Sequence, residues 1–119
     1  MKDYNLKNLF RHAANVVTFA PGQIVFKEGD PATIMYVIEE GQVEIMVHGR
    51  LVETASEGSI VGETALIDHQ PRSATVIAKT EAKLVPVDQK QFSFMVQETP
   101  YFAIHVMHIM ADRLRKTHD

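Results

Sequence analysis

GETALIDHQPRSAT, residues 62–75, sets a cation beside a core. Arg72 follows Pro71 and precedes the apolar positions Ala74, Val76, Ile77 and Ala78, with Glu63 and Asp68 as the acids at hand. A buried arginine needs an anion, because stripping a buried charge of its partner costs about 3–5 kcal/mol. That anion is Glu63, Asp68 or a ligand.

The same stretch has the parts of a phosphate cradle. Gly62 permits close backbone approach, and Glu63 to Leu66 can make a single helical turn whose first N–H groups lack internal acceptors. Such a start attracts anions. If Pro71 turns the chain so that Arg72 returns toward it, the planar guanidinium can grip two phosphate oxygens, and Ser73 adds a hydroxyl and an N–H. A carboxylate is repelled by phosphate, so Glu63 must serve another part of the ligand, for which a sugar hydroxyl is the natural donor. Phosphate and hydroxylated sugar together describe a nucleotide. The plainer alternatives are an internal salt bridge from Arg72 to Glu63 or Asp68, and a Glu63 that merely favours a helix start by about 0.3–1 kcal/mol. Ala74 and Thr75 read as sheet packing.

Working outward, glycines at 22, 29, 41, 49, 58 and 62 fall mostly between short runs rich in Val, Ile, Phe and Tyr. That spacing predicts a small all-β sandwich or barrel. The expected strands are 23–27, 34–39, 42–48, 51–55, 73–79 and 81–88. In 42–48, Val43, Ile45 and Val47 alternate with more polar neighbours, which predicts one buried face. Helices are expected at both ends. Leu6, Leu9, Phe10 and Ala13 have helical spacing over 5–15, and Asp88 with Gln91 forms a capping-box start for a helix turning Phe92 and Met95 or Val96 inward. Thr99 and Pro100 open a last helix with two apolar stripes: Phe102, Val106, Ile109 and Met110, and Ile104, Met107, Ala111 and Leu114. Either both stripes are core, or the second faces a ligand or a second subunit.

These residues carry a resemblance. GETALIDHQPRSAT is similar to the phosphate-binding cassette of the cyclic nucleotide-binding domain family, which runs Gly-Glu-x-Ala-Leu, a short loop, then Arg-x-Ala-Thr. PGQIVFKEGDPATIMYVIEEGQVEI (21–45) resembles the family's opening strands, with Phe26, Glu28, Gly29, Asp30, Met35, Tyr36, Ile38 and Gly41 in place, and the likeness covers about 20 to 117. It implies a mainly β fold with flanking helices (α+β), a double-stranded β-helix or jelly-roll barrel with an N-terminal helix, a short cassette helix and two C-terminal helices. The domain would be 1–119: N-terminal helix about 5–15, β-roll about 16–88, C-terminal helices about 89–117. By the same resemblance Arg72 binds the exocyclic oxygens of a cyclic phosphate and Glu63 accepts the ribose 2′-hydroxyl. The N–H groups of Ala65 and Ser73 complete the cage, Gly62 leaves room for the sugar, and Thr64 also borders the ligand. Val61 and Thr64 depart from the phenylalanine and leucine more usual there, which bears on the base pocket. Ser73 is compatible with cAMP or cGMP as ligand.

Composition narrows the function. The 119 residues are 45% hydrophobic and 23% charged, enough for one core, and the net charge of −3 provides no field for nucleic acid. There is no cysteine, no signal-peptide pattern and no apolar run near 18 residues, so a cytoplasmic protein without membrane insertion is expected. No nucleophile stands with a base, so no enzyme is expected. The expected role is a regulatory sensor whose last helix responds to ligand and meets a second copy or an effector protein. No helix-turn-helix follows the β region, so an output domain is expected on another chain. Two rivals stand beside it: a degenerate dimerisation module of the same fold, and a cupin-like metal protein. For the latter only His105 and His108 are suitably spaced, without an acid to complete a set, so no metal is expected.

Overall fold

Short β-prone runs separated by turns pair antiparallel in two four-stranded sheets. The computed structural model describes residues 15–118, and the expected helix over 5–15 lies outside the described residues. The strands are β1 (Val17–Phe19), β2 (Ile24–Phe26), β3 (Ile34–Glu40), β4 (Val43–Val47), β5 (Arg50–Ala55), β6 (Ile60–Val61), β7 (Thr75–Ala78) and β8 (Ala82–Asp88). One sheet runs β1-β8-β3-β6 and the other β2-β7-β4-β5. β6 is an edge of the first sheet and β5 an edge of the second.

Two apolar clusters explain why β3 and β8 are hydrophobic on successive residues. Ile38 and Leu84 point between the sheets with Phe26, Val43 and Val76, whereas Val37 and Val85 point the other way, under the helices with Phe102 and Val106. A sheet covered on both faces loses the simple polar alternation. Gly41 turns the β3–β4 hairpin at φ +91°, and a Cβ there would strike the Glu81 carbonyl oxygen. No other residue fits that turn without displacement.

Three helices complete the described chain: α1 (Thr64–Asp68), α2 (Gln89–Glu98) and α3 (Pro100–His118). His69 ends α1 in the left-handed conformation at φ 58°. At α2 the expected capping box forms, with Asp88 Oδ1 accepting from Gln91 N at 2.9 Å and Gln91 Oε1 from Asp88 N at 3.1 Å. Phe92 and Met95 pack inward, but Val96 does not. On α3 the stripe Phe102, Val106, Ile109 and Met110 is packed against the core, and Phe92 meets Phe102 edge to face. The second stripe is exposed, with Ile104, Met107 and Leu114 at 49%, 59% and 61%. Both stripes being core is thereby excluded.

A candidate ligand site beneath the last helix

Arg72 is fixed by its backbone. Its N–H donates to Asp30 O at 2.9 Å and its carbonyl accepts from Gly29 N at 2.8 Å, so the β2–β3 turn and the α1–β7 loop hold each other. The side chain then passes under Gly62 and lies over the Phe26 ring, 3.9 Å from guanidinium carbon to ring centroid, with Tyr36 stacked behind Phe26. Gly62 has φ +80°, and a Cβ there would come within 2.5 Å of Arg72 Nη1. The positive φ favours glycine, and a Cβ would have to displace the guanidinium.

The internal salt bridge offered for Arg72 does not form. Among the described residues no carboxylate lies within ion-pair distance of it, and Asp68 Oδ1 instead accepts from Gln70 N at 3.1 Å. Arg72 is 7% exposed, its Nε is buried without a hydrogen-bond partner, and Nη1 makes one long bond, 3.4 Å, to Gly62 O. Burial pushes the guanidinium below its ordinary pKa, against the raising influence of Tyr36, Asp30 and Glu63. Arginine nonetheless stays protonated in proteins. A charge so placed, with one buried donor unused, is suited to an anion arriving from the adjoining space.

Glu63 has a different partner. It caps α1 in position only, making no side-chain bond to the helix, and is 4% exposed. Its Oε1 accepts from Arg113 Nη1 at 3.1 Å, a residue of α3 fifty positions away. Arg113 also donates Nε to Glu53 Oε1 at 2.9 Å and Nη2 to Ile60 O at 2.6 Å. Burial would lower the Arg113 pKa, but the charges and hydrogen bonds of Glu63 and Glu53 outweigh it and hold the guanidinium above its ordinary value. Arg113 is the residue that sequence reasoning missed. Its signal was present: position 113 continues the inward stripe Phe102, Val106, Ile109, and a charge on a packed helix face demands a buried partner.

Two adjoining cavities fill the space between these groups. One of about 60 Å³ is lined by Phe26, Gly62, Glu63, Arg72, Ser73 and Arg113 among others. The other, about 400 Å³, shares Glu63, Thr64, Ser73, Ala74 and Arg113 but is otherwise walled by apolar side chains such as Val47, Val52, Met110 and Leu114. A polar recess with a cation and a carboxylate thus opens into an apolar room. Such a site takes an anionic, hydroxylated head and a flat or apolar remainder.

Of the six residues singled out, Gly62, Glu63, Thr64, Arg72 and Ser73 line this space, while Ala65 is buried in the first turn of α1. Ala74, expected only to pack in the sheet, borders both cavities, whereas the Thr75 hydroxyl accepts from Glu28 N at 2.9 Å. His105, one of the two histidines weighed as metal ligands, is buried, and its Nε2 donates to Gly58 O at 3.2 Å. Among the described residues no three His, Asp or Glu side chains are grouped to hold a metal, and no helix is long and apolar enough to cross a membrane.

The fold is a two-sheet β-roll with flanking helices, and its pocket sets a cation and a carboxylate at the mouth of an apolar space. The sequence profile described as "Cyclic nucleotide-binding domain" matches residues 16–99, and the chain belongs to that family. It is 31% identical over 84 residues to a cGMP-dependent protein kinase of Plasmodium berghei, covering 71% of this chain and 10% of the kinase. Over 82 residues it is 37% identical to a cAMP-dependent protein kinase regulatory subunit of Emericella nidulans, covering 67% of this chain and 20% of that protein. The chain therefore spans a fifth or less of these relatives. Among solved structures, EAL enzyme Bd1971 in its cGMP-bound form superposes with a TM-score of 0.68 at 34% identity, over 87% of this chain and 29% of that one. The Thermus thermophilus catabolite activator protein gives 0.75 at 22% identity over 92% of this chain and 59% of its own, a likeness of fold.

Proposed function

We propose that residues 1–119 act as one non-catalytic regulatory domain that binds a cyclic nucleotide, cAMP or cGMP, and that occupancy repositions the last helix. The observation that carries this reading is Arg72: a buried guanidinium without a carboxylate, facing a recess, beside a carboxylate engaged elsewhere. In this reading the cyclic phosphate takes Arg72, and Gly62 leaves the clearance that both need. The N–H groups of Ala65 and Ser73 complete the anion's shell, and the ribose 2′-hydroxyl donates to Glu63. The base enters the apolar room bounded by Val47, Val52, Met110 and Leu114, with Thr64 and Ser73 as the hydroxyls at its mouth.

In this reading the ligand reaches the helix through Glu63. Glu63 holds Arg113 of α3, so a hydroxyl that claims Glu63 alters a contact that fixes α3 in place. A base lying against Met110 and Leu114 adds apolar contact on the same helix. A ligand that meets the two helix positions differently shifts their balance by that difference in affinity. The exposed stripe Ile104, Met107 and Leu114 is where a second copy or an effector would sense the change.

Support comes from the family and from named relatives, a cGMP-dependent kinase and a cAMP-dependent kinase regulatory subunit. Isothermal titration of the chain with cAMP, cGMP and 5′-AMP tests the proposal. Saturable heat with a cyclic nucleotide and none with 5′-AMP is expected. No heat with either cyclic nucleotide would favour the rival, a degenerate module whose business is the exposed face of α3.

A further inference from the structure

Glu53 is a half-buried carboxylate that the binding scheme above leaves without a task. It lies on β5, the edge of one sheet, while Ile60 and Val61 form β6, the edge of the other. Arg113 joins the two edges. Its Nε and Nη2 meet the two Glu53 oxygens at 2.9 and 3.5 Å, and Nη2 also reaches Ile60 O and, at 3.5 Å, Ser59 Oγ. Only Nη1 is left for Glu63. Lys116 Nζ stands 3.9 Å from Glu53 Oε1 and reinforces the same anchor.

This division matters because a guanidinium has a bidentate side, and whichever carboxylate occupies that side is the more fully neutralised. Here Glu53 has it. Glu63 receives a single donor and keeps the acceptor strength that a hydroxyl donor needs. We propose that Glu53 is a positioning residue of the site: by holding the fork of Arg113 it keeps Glu63 available to a ligand hydroxyl. The inference rests on the cyclic nucleotide reading above, and it concerns a residue outside the 62–75 cassette. Removing the Glu53 charge would let the fork turn to Glu63. The ligand hydroxyl would then compete with two strong donors rather than one.

The test compares each cyclic nucleotide with its 2′-deoxy analogue, binding to the full chain and to Glu53→Gln, with ligand-free thermal midpoints recorded for both. A hydrogen bond to a charged group makes the parent prefer the 2′-hydroxyl by about ten- to hundredfold. In Glu53→Gln that preference is expected to fall to about threefold or less, while affinity for the deoxy analogue changes little. A merely structural role would weaken both ligands alike and leave the ratio intact, and that result would overturn the proposal. Glu53→Asp, which keeps the charge but shortens the fork, is expected to lie between the two and serves as the reading if Glu53→Gln fails to fold. A parent that binds neither nucleotide overturns the function itself and this inference with it. A parent that binds both analogues equally leaves the function standing and removes Glu63, hence Glu53, from hydroxyl recognition.

Discussion

At the residue scale, the site rests on two neighbours, Arg72 and Gly62. Arg72 costs the ligand-free protein something, since its charge is buried over Phe26 with one donor unused. Arg72→Ala is therefore expected to leave the ligand-free midpoint unchanged or higher, against the usual destabilising effect of a core truncation, while removing nucleotide binding. Differential scanning fluorimetry and titration read the two halves separately. Gly62→Ala carries the opposite expectation: a strained positive φ and a Cβ against the guanidinium destabilise by about 1–3 kcal/mol and push Arg72 off its station. Chemical denaturation checks the loss. Arg72 was legible as a question from its place between Pro71 and an apolar run, but its answer was not. Neither acid nearby in sequence pairs with it; Glu63 turns to a residue fifty positions on, and Asp68 bonds locally.

At the element scale, the last helix is held by two kinds of contact that fail differently. Phe102 and Val106 bury its first half, so Phe102→Ala is expected to cost about 3–5 kcal/mol and to unfold the domain as a whole. Arg113 fastens its second half through charges, and Arg113→Ala strips the buried Glu63 of its cation and leaves the half-buried Glu53 with Lys116 alone. A loss of about 3–5 kcal/mol follows from that, detectable by urea unfolding, together with faster amide exchange over 110–116. Local elements were the most readable: the Asp88–Gln91 capping box is a three-residue signal and forms as expected. β1 and β6 were not among the expected strands; β6 has only two residues, and the two are held as strands by pairing with β8 and β3. Arg113 was readable in principle from the inward stripe of α3, where a cation among Phe102, Val106 and Ile109 is out of pattern.

At the scale of the whole molecule, the proposed function treats the roll as the frame and the last helix as the part that responds to ligand. Arg113 bonds Glu53 of β5, the Ile60 carbonyl of β6 and Glu63, so one side chain ties α3 to both sheet edges and to the site. Saturating cyclic nucleotide is expected to alter hydrogen exchange over 100–116 more than over β3 and β8, which are paired on both sides. Equal exchange with and without ligand would contradict the repositioning of α3. The exposed stripe Ile104, Met107 and Leu114 gives a second expectation: Met107→Glu should lower any ligand-dependent self-association seen by sedimentation without lowering affinity.

The central claim is that Arg72 waits for a cyclic phosphate, and thermal unfolding tests it most directly. The parent and Arg72→Ala are each melted with cAMP, cGMP, 5′-AMP and no ligand. Ligand at a hundred times its dissociation constant adds about 2.7 kcal/mol, and each kcal/mol moves a domain of this size by about 4–8 °C. The account predicts a rise of that order in the parent with a cyclic nucleotide, absent with 5′-AMP and absent in Arg72→Ala. A parent whose midpoint does not move with either cyclic nucleotide, or a rise that survives in Arg72→Ala, would contradict it.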